Sequence, residues 1–387
     1  MMRPYIESRY DQFIRDLEAV VNMDSGSEYV AGLKTVLVFF QERFSQLGWH
    51  TWLHPFAGGR TPCLEITNKN SSGPDSRFDF FLLGHVDTVF PEGTVKQRPF
   101  AVQNKRAQGP GVCDMKGGLV TILHVAEALQ HSGIADRLSL CIAFNSDEEI
   151  GSHGSRPWFE GLAKRSRRVL VFEPCRSTGH RVLQRKGVGS FEIHCHGKAA
   201  HAGVEPEKGA NTVVELAHQI LAVASFPRPD LGTTANVTTV SGGIAENVIP
   251  DFARASVDVR FSSVEEARRI EACFQNLCKT THVEGVRVEV RGEINRLPMV
   301  PSAATLRLWD QLAHIGKQLG LEMEWISTGG ASDGNFTSAL GIATIDALGP
   351  RGGSAHGKEE YLELDSIVPN IHLICEFLKA AAEGRLP

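Results

Sequence analysis

Three features are scarce or missing in this 387-residue sequence, and each excludes a class of protein. Lys and Arg number 40 against 45 Asp and Glu, so the net charge is −5 and the basic excess of a nucleic-acid-binding surface is lacking. No run approaches the roughly 20 apolar residues that span a bilayer. The N-terminal segment is charged throughout and lacks the apolar stretch of a signal peptide. We therefore expect a cytoplasmic protein with no nucleic-acid partner and no membrane partner.

Cysteine is present but forms no recognisable framework. The eight cysteines are scattered along the chain, and none belongs to a CxxC pair. This spacing is unlike that of a disulfide-rich secreted domain and favours reduced thiols. Hydrophobic residues make up 42% of the chain, which is enough to bury a full core, and 387 residues suit two domains.

Strand-like and helical patterns alternate through most of the chain. Short apolar runs bounded by turn residues predict strands, and Lys116–Gln130 predicts a helix between two of them. This alternation is typical of an α/β fold with a parallel or mixed sheet. After Pro298 the same pattern resumes. The predicted strands are Cys63–Thr67, Asp79–Leu83, Leu138–Asn145, Val169–Phe172, Glu322–Ser327 and Ala343–Leu348, and the later helices are Thr305–Leu319 and Asp365–Glu383.

A different pattern begins at Gly187 and predicts a small separate domain. Its order is β-α-β-β-α-β, which is the order of a ferredoxin-like unit. We expect a discontinuous large domain of residues 1–186 and 297–387, with residues 187–296 as the inserted domain. The inserted segments are the strands Ser190–His196, Ala235–Val240, Ala253–Phe261 and Val286–Gly292 and the helices Ala210–Ser225 and Val264–Thr280.

Residues able to bind a metal follow the predicted strands of the large domain, where open α/β sheets place their sites. His85 and Asp87 come directly after the strand that ends at Leu83. In such an HxD pair the imidazole can face a metal while the carboxylate holds the other ring nitrogen. Alone, the pair is more often a strand-end histidine and a turn-forming aspartate.

Two acidic segments could add ligands. Asp114 lies in the glycine-rich loop GPGVCDMKGG before a predicted helix, where a helix N-cap is the simpler interpretation. Residues 147–149 are three consecutive acids after an apolar strand. The adjacent Glu148 and Glu149 could divide the work, one binding a metal while the other acts as a base.

Two isolated residues complete the set of possible metal ligands. Glu173 ends a predicted strand, and His356 lies in a late glycine-rich loop. Five strand-end and loop positions thus supply two histidines and three carboxylates. This is the ligand count of a dinuclear zinc site with one bridging carboxylate. Two Zn²⁺, three carboxylates and one hydroxide also form a neutral cluster, which could polarise a carbonyl and generate hydroxide at neutral pH.

The order of these motifs resembles one family of enzymes. HVD, GPGVCDMKGG, SDEEIGS, FEP, GKAAHAG, ENVIP, DVR, GGASDGN and GGSAHGKEEYL occur in this order over nearly the whole chain. The pattern is similar to that of the aminoacylase/carboxypeptidase G family of di-zinc metallopeptidases, which includes acetylornithine deacetylase, succinyl-diaminopimelate desuccinylase and the glutamate carboxypeptidases. The resemblance implies a phosphorylase/hydrolase-like α/β catalytic domain, an inserted ferredoxin-like lid and dimerisation domain, and a homodimer formed through that domain.

The resemblance further implies two Zn²⁺ per subunit, although Co²⁺ or Mn²⁺ would suit the same ligands. One carboxylate bridges the metals in the family, and each metal has two further ligands. In this sequence the bridge would be Asp114, with His85 and Glu173 on one metal and Glu149 and His356 on the other.

Other large-domain residues receive roles by the same resemblance. Asp87 would orient His85, and Glu148 would be the general base that moves a proton from the attacking water to the leaving amine. The peptide bond between Asp114 and Met115 would be cis.

The inserted domain would supply His201, which resembles the family's donor to the developing oxyanion. In relatives this histidine acts across the dimer, so a monomer would be poorly active. His194 and His196 are interpreted instead as surface residues on one strand face. Residues expected to contact substrate are Asn247, Arg260 and Arg296, which would hold its carboxylate, and Gly330 and Ser332, whose loop would line the pocket.

The sequence therefore predicts a co-catalytic zinc amidohydrolase that acts on a small amide with a free carboxylate. The C-terminal motif favours the carboxypeptidase G branch, which releases a C-terminal glutamate or similar amino acid. The alternatives are an N-acyl-amino-acid deacylase of the acetylornithine deacetylase or desuccinylase type, suggested by STGGASDGNF, and a metal-binding protein without turnover.

Overall fold

The computed structural model describes residues 2–70 and 76–386. The chain divides into two compact units. The large unit contains the chain up to Gln184, Val300–Ser327 and the chain from Ser332 onward. The inserted unit contains Arg185–Met299 and Thr328–Ala331.

Helices and strands alternate along the described residues. The helices are α1 (Met2–Ser8), α2 (Tyr10–Val21), α3 (Val30–Gln46), α4 (Phe56–Gly59), α5 (Thr94–Gln97), α6 (Gly117–His131), α7 (Arg156–Lys164), α8 (Thr212–Val223), α9 (Val264–Leu277), α10 (Ala303–Gln318), α11 (Gly334–Ala339) and α12 (Ile367–Ala382). The strands are β1 (His50–Pro55), β2 (Thr61–Thr67), β3 (Phe80–His85), β4 (Ala101–Gln103), β5 (Arg106–Gln108), β6 (Leu140–Asn145), β7 (Arg168–Val171), β8 (Arg181–Arg185), β9 (Gly187–His196), β10 (Ala200–His201), β11 (Thr234–Gly242), β12 (Val248–Ile249), β13 (Phe252–Phe261), β14 (Arg287–Arg296), β15 (Trp325–Thr328), β16 (Ala343–Ile345), β17 (Gly352–Gly353) and β18 (Tyr361–Glu363).

The large unit is built on a six-stranded sheet in the order β1-β2-β6-β3-β7-β16. Strand β3 runs parallel to both β6 and β7, whereas β1 and β2 are antiparallel additions at one edge. Every residue of β3 and β6 is buried, as expected for central strands covered on both faces. Side chains of α3, α6, α10 and α12 pack in one core, and those of α7 and α11 pack in another. The predicted α/β fold is confirmed.

A small second sheet, in the order β17-β18-β5-β4, brings two distant loops of the large unit together. Strand β5 leads into the Asp114 loop, and the connection from β17 to β18 contains His356. Because β18 pairs with β5, these two loops start from neighbouring strands. None of these four strands was predicted, since each has three residues or fewer.

The inserted unit is an antiparallel sheet in the order β11-β13-β9-β14. Alternate residues of β9 and β13 share one core with α8 and α9, and the ring of Phe191 stacks on that of Phe274. The chain order β-α-β-β-α-β with this sheet order is the ferredoxin-like arrangement, which confirms the inserted α+β fold.

One detail of the inserted unit differs from expectation. His194 was expected at the surface but is buried, because the ring of Phe252 packs edge-on against it and Glu192 hydrogen-bonds to its Nε2 at 3.0 Å. His196 is partly exposed on the same face.

Some element boundaries also differ. The strand expected from Glu322 begins only at Trp325. Strand β1 was missed because its side chains are partly exposed on both faces, as is usual at a sheet edge, so its sequence lacks a clear alternation. No helix among the described residues is long and apolar enough to cross a membrane. All eight cysteines are unpaired thiols.

Candidate functional site

The end of β3 places His85 and Asp87 at the carboxyl edge of the main sheet. His85 is 2% exposed and Asp87 is fully buried. The Nδ1 atom of His85 lies 3.0 Å from the carbonyl oxygen of Asp87 and 3.3 Å from its Oδ1. These contacts leave Nε2 of His85 facing the neighbouring carboxylates.

The carboxylate of Asp87 also holds the loop after β6. It accepts the backbone N–H of Glu148 at 3.2 Å and that of Glu149 at 3.1 Å, together with the Ser27 hydroxyl at 2.8 Å. One buried carboxylate thus fixes both an imidazole and the two glutamates that follow β6. Ser27 was not recognised from the sequence.

The acidic run 147–149 divides into three environments. Asp147 turns away and accepts the N–H of Gly154 at 2.7 Å and the hydroxyl of Ser155 at 2.5 Å, so its role is structural. Glu148 begins a short 3₁₀ turn and is 9% exposed. Glu149 points its side chain toward the histidines, and its Oε2 lies 3.2 Å from Nε2 of His356.

The Asp114 loop is held by a residue that the sequence reasoning missed. Glu360 is 1% exposed, and its carboxylate accepts the N–H groups of Gly111 at 2.9 Å, Cys113 at 2.8 Å and Asp114 at 2.9 Å. Because Glu360 follows the His356 loop, it ties that loop to the Asp114 loop. The expected cis peptide between Asp114 and Met115 is confirmed. The backbone angles of Asp114 and Met115 are non-helical, so Asp114 lies in a loop just before α6.

The five expected ligands meet in the large unit. Nε2 of His85 lies 3.3 Å from Asp114 Oδ1 and 3.6 Å from Glu173 Oε1. Nε2 of His356 lies 3.3 Å from the other oxygen of Asp114, Oδ2, and 3.2 Å from Glu149. Asp114 is thus in the middle, with one histidine and one glutamate on each side.

The electrostatics of these five residues, which we call the donor cluster (His85, Asp114, Glu149, Glu173 and His356), suit divalent cations. Burial, followed by the charge of Asp114, raises the pKa of Glu173 well above its usual value. Hydrogen bonds that His356 donates to Asp114 and Glu149 raise the pKa of its imidazole to about 10. For His85, burial alone would lower the pKa, but hydrogen bonds to Asp114 and Asp87 outweigh it and raise the pKa. A cluster that raises the pKa of both imidazoles has the negative potential that also attracts metal ions.

The hydrogen bonding of the cluster leads to the same conclusion. Oε1 of Glu149 is buried and has no hydrogen-bond partner among the described residues. Within residues 2–70 and 76–386, no Lys or Arg forms an ion pair with Asp114, Glu149 or Glu173. One nitrogen or oxygen atom from each of His85, Asp114 and Glu149 lies within 4.8 Å of the other two. Imidazole and carboxylate donors fit Zn²⁺, Co²⁺ or Mn²⁺, so the residues present fit a metal pair.

In the inserted unit, His201 and Asn247 lie on neighbouring strand ends. Strand β10, which contains His201, pairs with β12, and the N–H of Ala202 donates to the carbonyl oxygen of Asn247 at 2.9 Å. Nδ1 of His201 accepts the N–H groups of Gly203 and Val204, both at 3.1 Å. Because Nδ1 is an acceptor, the neutral ring carries its proton on Nε2, and this exposed side chain is a hydrogen-bond donor.

The expected carboxylate-binding arginines are differently placed. Arg260 is engaged by its neighbour Asp258 through three contacts of 2.8 to 3.1 Å, so its guanidinium is already paired. Both side chains lie on one face of β13 because they are two residues apart. Arg296, at the end of β14, is buried within the inserted unit.

The loop residues expected to line the pocket also have internal partners. The carbonyl oxygen of Gly330 accepts from Nη1 of Arg185 at 3.2 Å. Ser332 is fully buried, its hydroxyl donates to Asp346 at 2.6 Å, and its N–H donates to Asn335 at 3.0 Å. This structure therefore gives Ser332 a structural role and does not place it on an open surface.

Comparisons with known proteins agree with this geometry. The profile of the peptidase family M20/M25/M40 matches residues 81–380. Carboxypeptidase G2 of Pseudomonas sp. (strain RS-16) is 27% identical over 381 residues, covering 96% of this chain and 90% of that protein. Succinyl-diaminopimelate desuccinylase of Rhizorhabdus wittichii is 26% identical over 347 residues, covering 84% of this chain and 86% of that protein.

A solved structure shows the same fold. The YXEP protein of Bacillus subtilis, described as a dinuclear metal binding peptidase from the M20 family, superposes with a TM-score of 0.67 at 13% identity. The match covers 97% of this chain and 99% of that chain.

Proposed function

Because the chain belongs to the peptidase family M20/M25/M40 and is a hydrolase, we propose that it uses two metal ions to cleave an amide bond beside a free carboxylate. The family resemblance inferred from the motifs is confirmed. The observation that carries the proposal is the central position of Asp114, whose two oxygens each face a different histidine at 3.3 Å.

The proposed ligands are the five residues of the donor cluster. Asp114 would bridge, with His85 and Glu173 on one side and Glu149 and His356 on the other. When bound, the metal pair would polarise the scissile carbonyl and lower the pKa of a water molecule. Zn²⁺ is the ion we propose, and the B. subtilis dinuclear peptidase supports the count of two.

Glu148 is the proposed general base. Its backbone N–H donates to Asp87 at 3.2 Å, and its charge adds to burial and to the charge of Asp114 in raising the pKa of Glu173. One oxygen of Glu148 would take a proton from the attacking water as the C–O bond forms. The same oxygen would return the proton to the leaving nitrogen as the C–N bond breaks.

His201 is the proposed donor to the carbonyl oxygen, because its Nε2–H is exposed and its ring is held through Nδ1. Removing a donor of this kind costs about 10² to 10³ in kcat. We further propose that His201 acts across a homodimer formed through the inserted unit.

Mixed dimers test that arrangement. Glu148→Gln and His201→Ala subunits are each inactive on their own in this account. If His201 acts across the dimer, mixing them in equal amounts restores about a quarter of wild-type activity, because half of the dimers then contain one complete site. If His201 acts within its own subunit, mixing restores no activity.

We propose a carboxypeptidase G-like reaction that releases a C-terminal glutamate or a similar amino acid, as the similarity to carboxypeptidase G2 over 96% of the chain suggests. Deacylation of N-acyl amino acids is the second candidate, because a desuccinylase is 26% identical. Asn247, Arg260 and Arg296 remain the proposed partners of the substrate carboxylate, and Arg260 would have to exchange Asp258 for it.

Hydrolysis of an amide panel tests the function. We expect chelator-sensitive release of amino acid from acyl-glutamates or other N-acyl amino acids, and the preferred member identifies the branch. Metal binding without hydrolysis of any panel member would instead indicate a binding protein without turnover.

A further inference from the structure

A cavity of about 280 Å³ lies in the large unit, and no residue of the donor cluster lines it. Its wall is formed by the loop that leads into β8, the turn after α10, the segment after β16 and the beginning of α12. The volume is just below the roughly 300 Å³ at which small-molecule sites begin. The cavity therefore suits a ligand of the size of a single amino acid.

A buried arginine without an acidic partner belongs to this wall. Arg181 is 6% exposed. Its Nη1 donates to the carbonyl oxygens of Ala347 at 2.9 Å and Gly349 at 3.3 Å, and its Nη2 donates to Oδ1 of Asn370 at 2.7 Å. These acceptors are uncharged, and no carboxylate of residues 2–70 and 76–386 forms an ion pair with Arg181. Because buried charges are normally paired, this guanidinium calls for an anion.

The hydrogen-bond count of Arg181 indicates what kind of anion fits. A guanidinium has five N–H groups, and three are used. The remaining two, one on Nε and one on Nη2, have no partner among the described residues. Two N–H groups are the number that one carboxylate accepts in a bidentate pair.

The other charges of the wall do not neutralise Arg181. Arg351 takes two nearby carboxylates, since its Nε lies 3.1 Å from Glu363 and its Nη2 donates to Asp365 at 2.8 Å. Glu322, by contrast, is exposed, and its carboxylate has no partner in the part of the chain that the structure describes. The cavity thus has one unpaired positive charge on a buried residue and one unpaired negative charge on an exposed residue.

We propose that this cavity binds a free α-amino acid with an apolar side chain. Arg181 donates its two unpartnered N–H groups to the carboxylate of the ligand, and Glu322 pairs with the ammonium group. Leu321, Met323 and Pro369 line the same cavity and supply apolar contacts. The inference does not depend on the proposed hydrolysis.

The cavity adjoins the backbone that supports Glu173. Gly349 and Cys175 are part of its wall. The N–H of Gly349 donates to the carbonyl oxygen of Glu173 at 2.9 Å, and the N–H of Cys175 donates to that of Pro350 at 3.1 Å. A ligand here would contact the segment that carries Glu173 without entering the donor cluster.

Calorimetry with three matched ligands tests the charge pattern. L-leucine carries both charged groups, 4-methylpentanoate lacks the ammonium group, and 3-methylbutylamine lacks the carboxylate. The protein is used without metal, because the donor cluster is then negative and repels a carboxylate. We expect 4-methylpentanoate to bind about twofold to fivefold more weakly than leucine, since Glu322 is exposed. Binding of 3-methylbutylamine should be about tenfold weaker or more, since hydrogen bonds to charged groups are lost.

Two variants with matched controls locate the site. Thr178→Trp places a large side chain at the exposed part of the wall and should abolish leucine binding, whereas Ser177→Trp changes the exposed neighbour outside the wall and should not. Glu322→Gln should reduce the affinity for leucine to that for 4-methylpentanoate. The control Glu42→Gln removes an exposed charge from α3 and should leave leucine binding unchanged. Arg181 is kept, because it also holds Ala347 and Gly349.

Three results would overturn the inference. One is the absence of leucine binding to the metal-free wild type. Another is equal leucine affinity in Thr178→Trp and Ser177→Trp, which would place the ligand elsewhere. The third is an affinity for leucine that is no higher than that for 4-methylpentanoate or 3-methylbutylamine, which would exclude the proposed pairing of both charges.

Discussion

Replacing Glu360 tests how the Asp114 loop is held in place. Glu360→Ala removes the only side-chain acceptor that the described residues offer to the N–H groups of Gly111, Cys113 and Asp114. A buried N–H without a partner costs about 1 to 3 kcal/mol, so three of them should lower the free energy of unfolding by about 3 kcal/mol or more. Glu360→Gln keeps one oxygen, which can serve the two N–H groups that share Oε1, and should cost less.

Two assays report the effect. Urea unfolding gives the free energy, and titration with Co²⁺ followed by visible absorption gives metal affinity. We expect Glu360→Ala to weaken Co²⁺ binding about 10-fold to 100-fold, which is typical when a group that supports a metal ligand is lost. The control is Glu359→Ala, because this neighbouring glutamate is exposed. Unfolding and Co²⁺ affinity of Glu360→Ala equal to those of the control would refute the reasoning.

Three further predictions concern the base, the core and a close packing contact. Glu148→Gln should lower kcat by about 10² or more while metal content, measured by atomic absorption, stays at the wild-type level. Burial alone would raise the pKa of Asp16, but hydrogen bonds from His124 and Arg43 lower it below its usual value of 3.8. Asp16→Asn should therefore cost about 3 kcal/mol of unfolding free energy near neutral pH. This cost should vanish as the pH falls through the lowered pKa, and denaturation at several pH values measures it. In Gly118→Ala the added Cβ would lie 2.1 Å from the backbone oxygen of Phe172, so we expect lower thermal stability and, because Glu173 is the next residue, weaker metal binding.

Part of the donor cluster could be predicted because some of its residues follow apolar strands. His85 and Glu173 come at the ends of β3 and β7, which are neighbours in the sheet, so their side chains meet at one edge. Asp114 and His356 could be placed only through family resemblance, since the short strands that bring their loops together give no periodic signal.

Other features of the site could not be predicted from the sequence. Glu360 acts on backbone N–H groups about 250 residues away in the chain, and no local pattern reports such a contact. The pairing of Arg260 with Asp258 could have been predicted, because two residues that are two positions apart lie on the same face of a strand. The burial of His194 had no such local signal, because its contact with Phe252 depends on the pairing of β9 with β13.

The measurement that tests the central claim most directly compares two substrates with the zinc-loaded protein. One is an acyl-glutamate, and the other is the matched amide in which the carboxylate beside the scissile bond is replaced by hydrogen. We predict that the wild type hydrolyses the first, that chelator abolishes this activity and zinc restores it, and that the second is hydrolysed far more slowly. Two bound metals with no hydrolysis of either amide, or equal hydrolysis of both, would contradict the account.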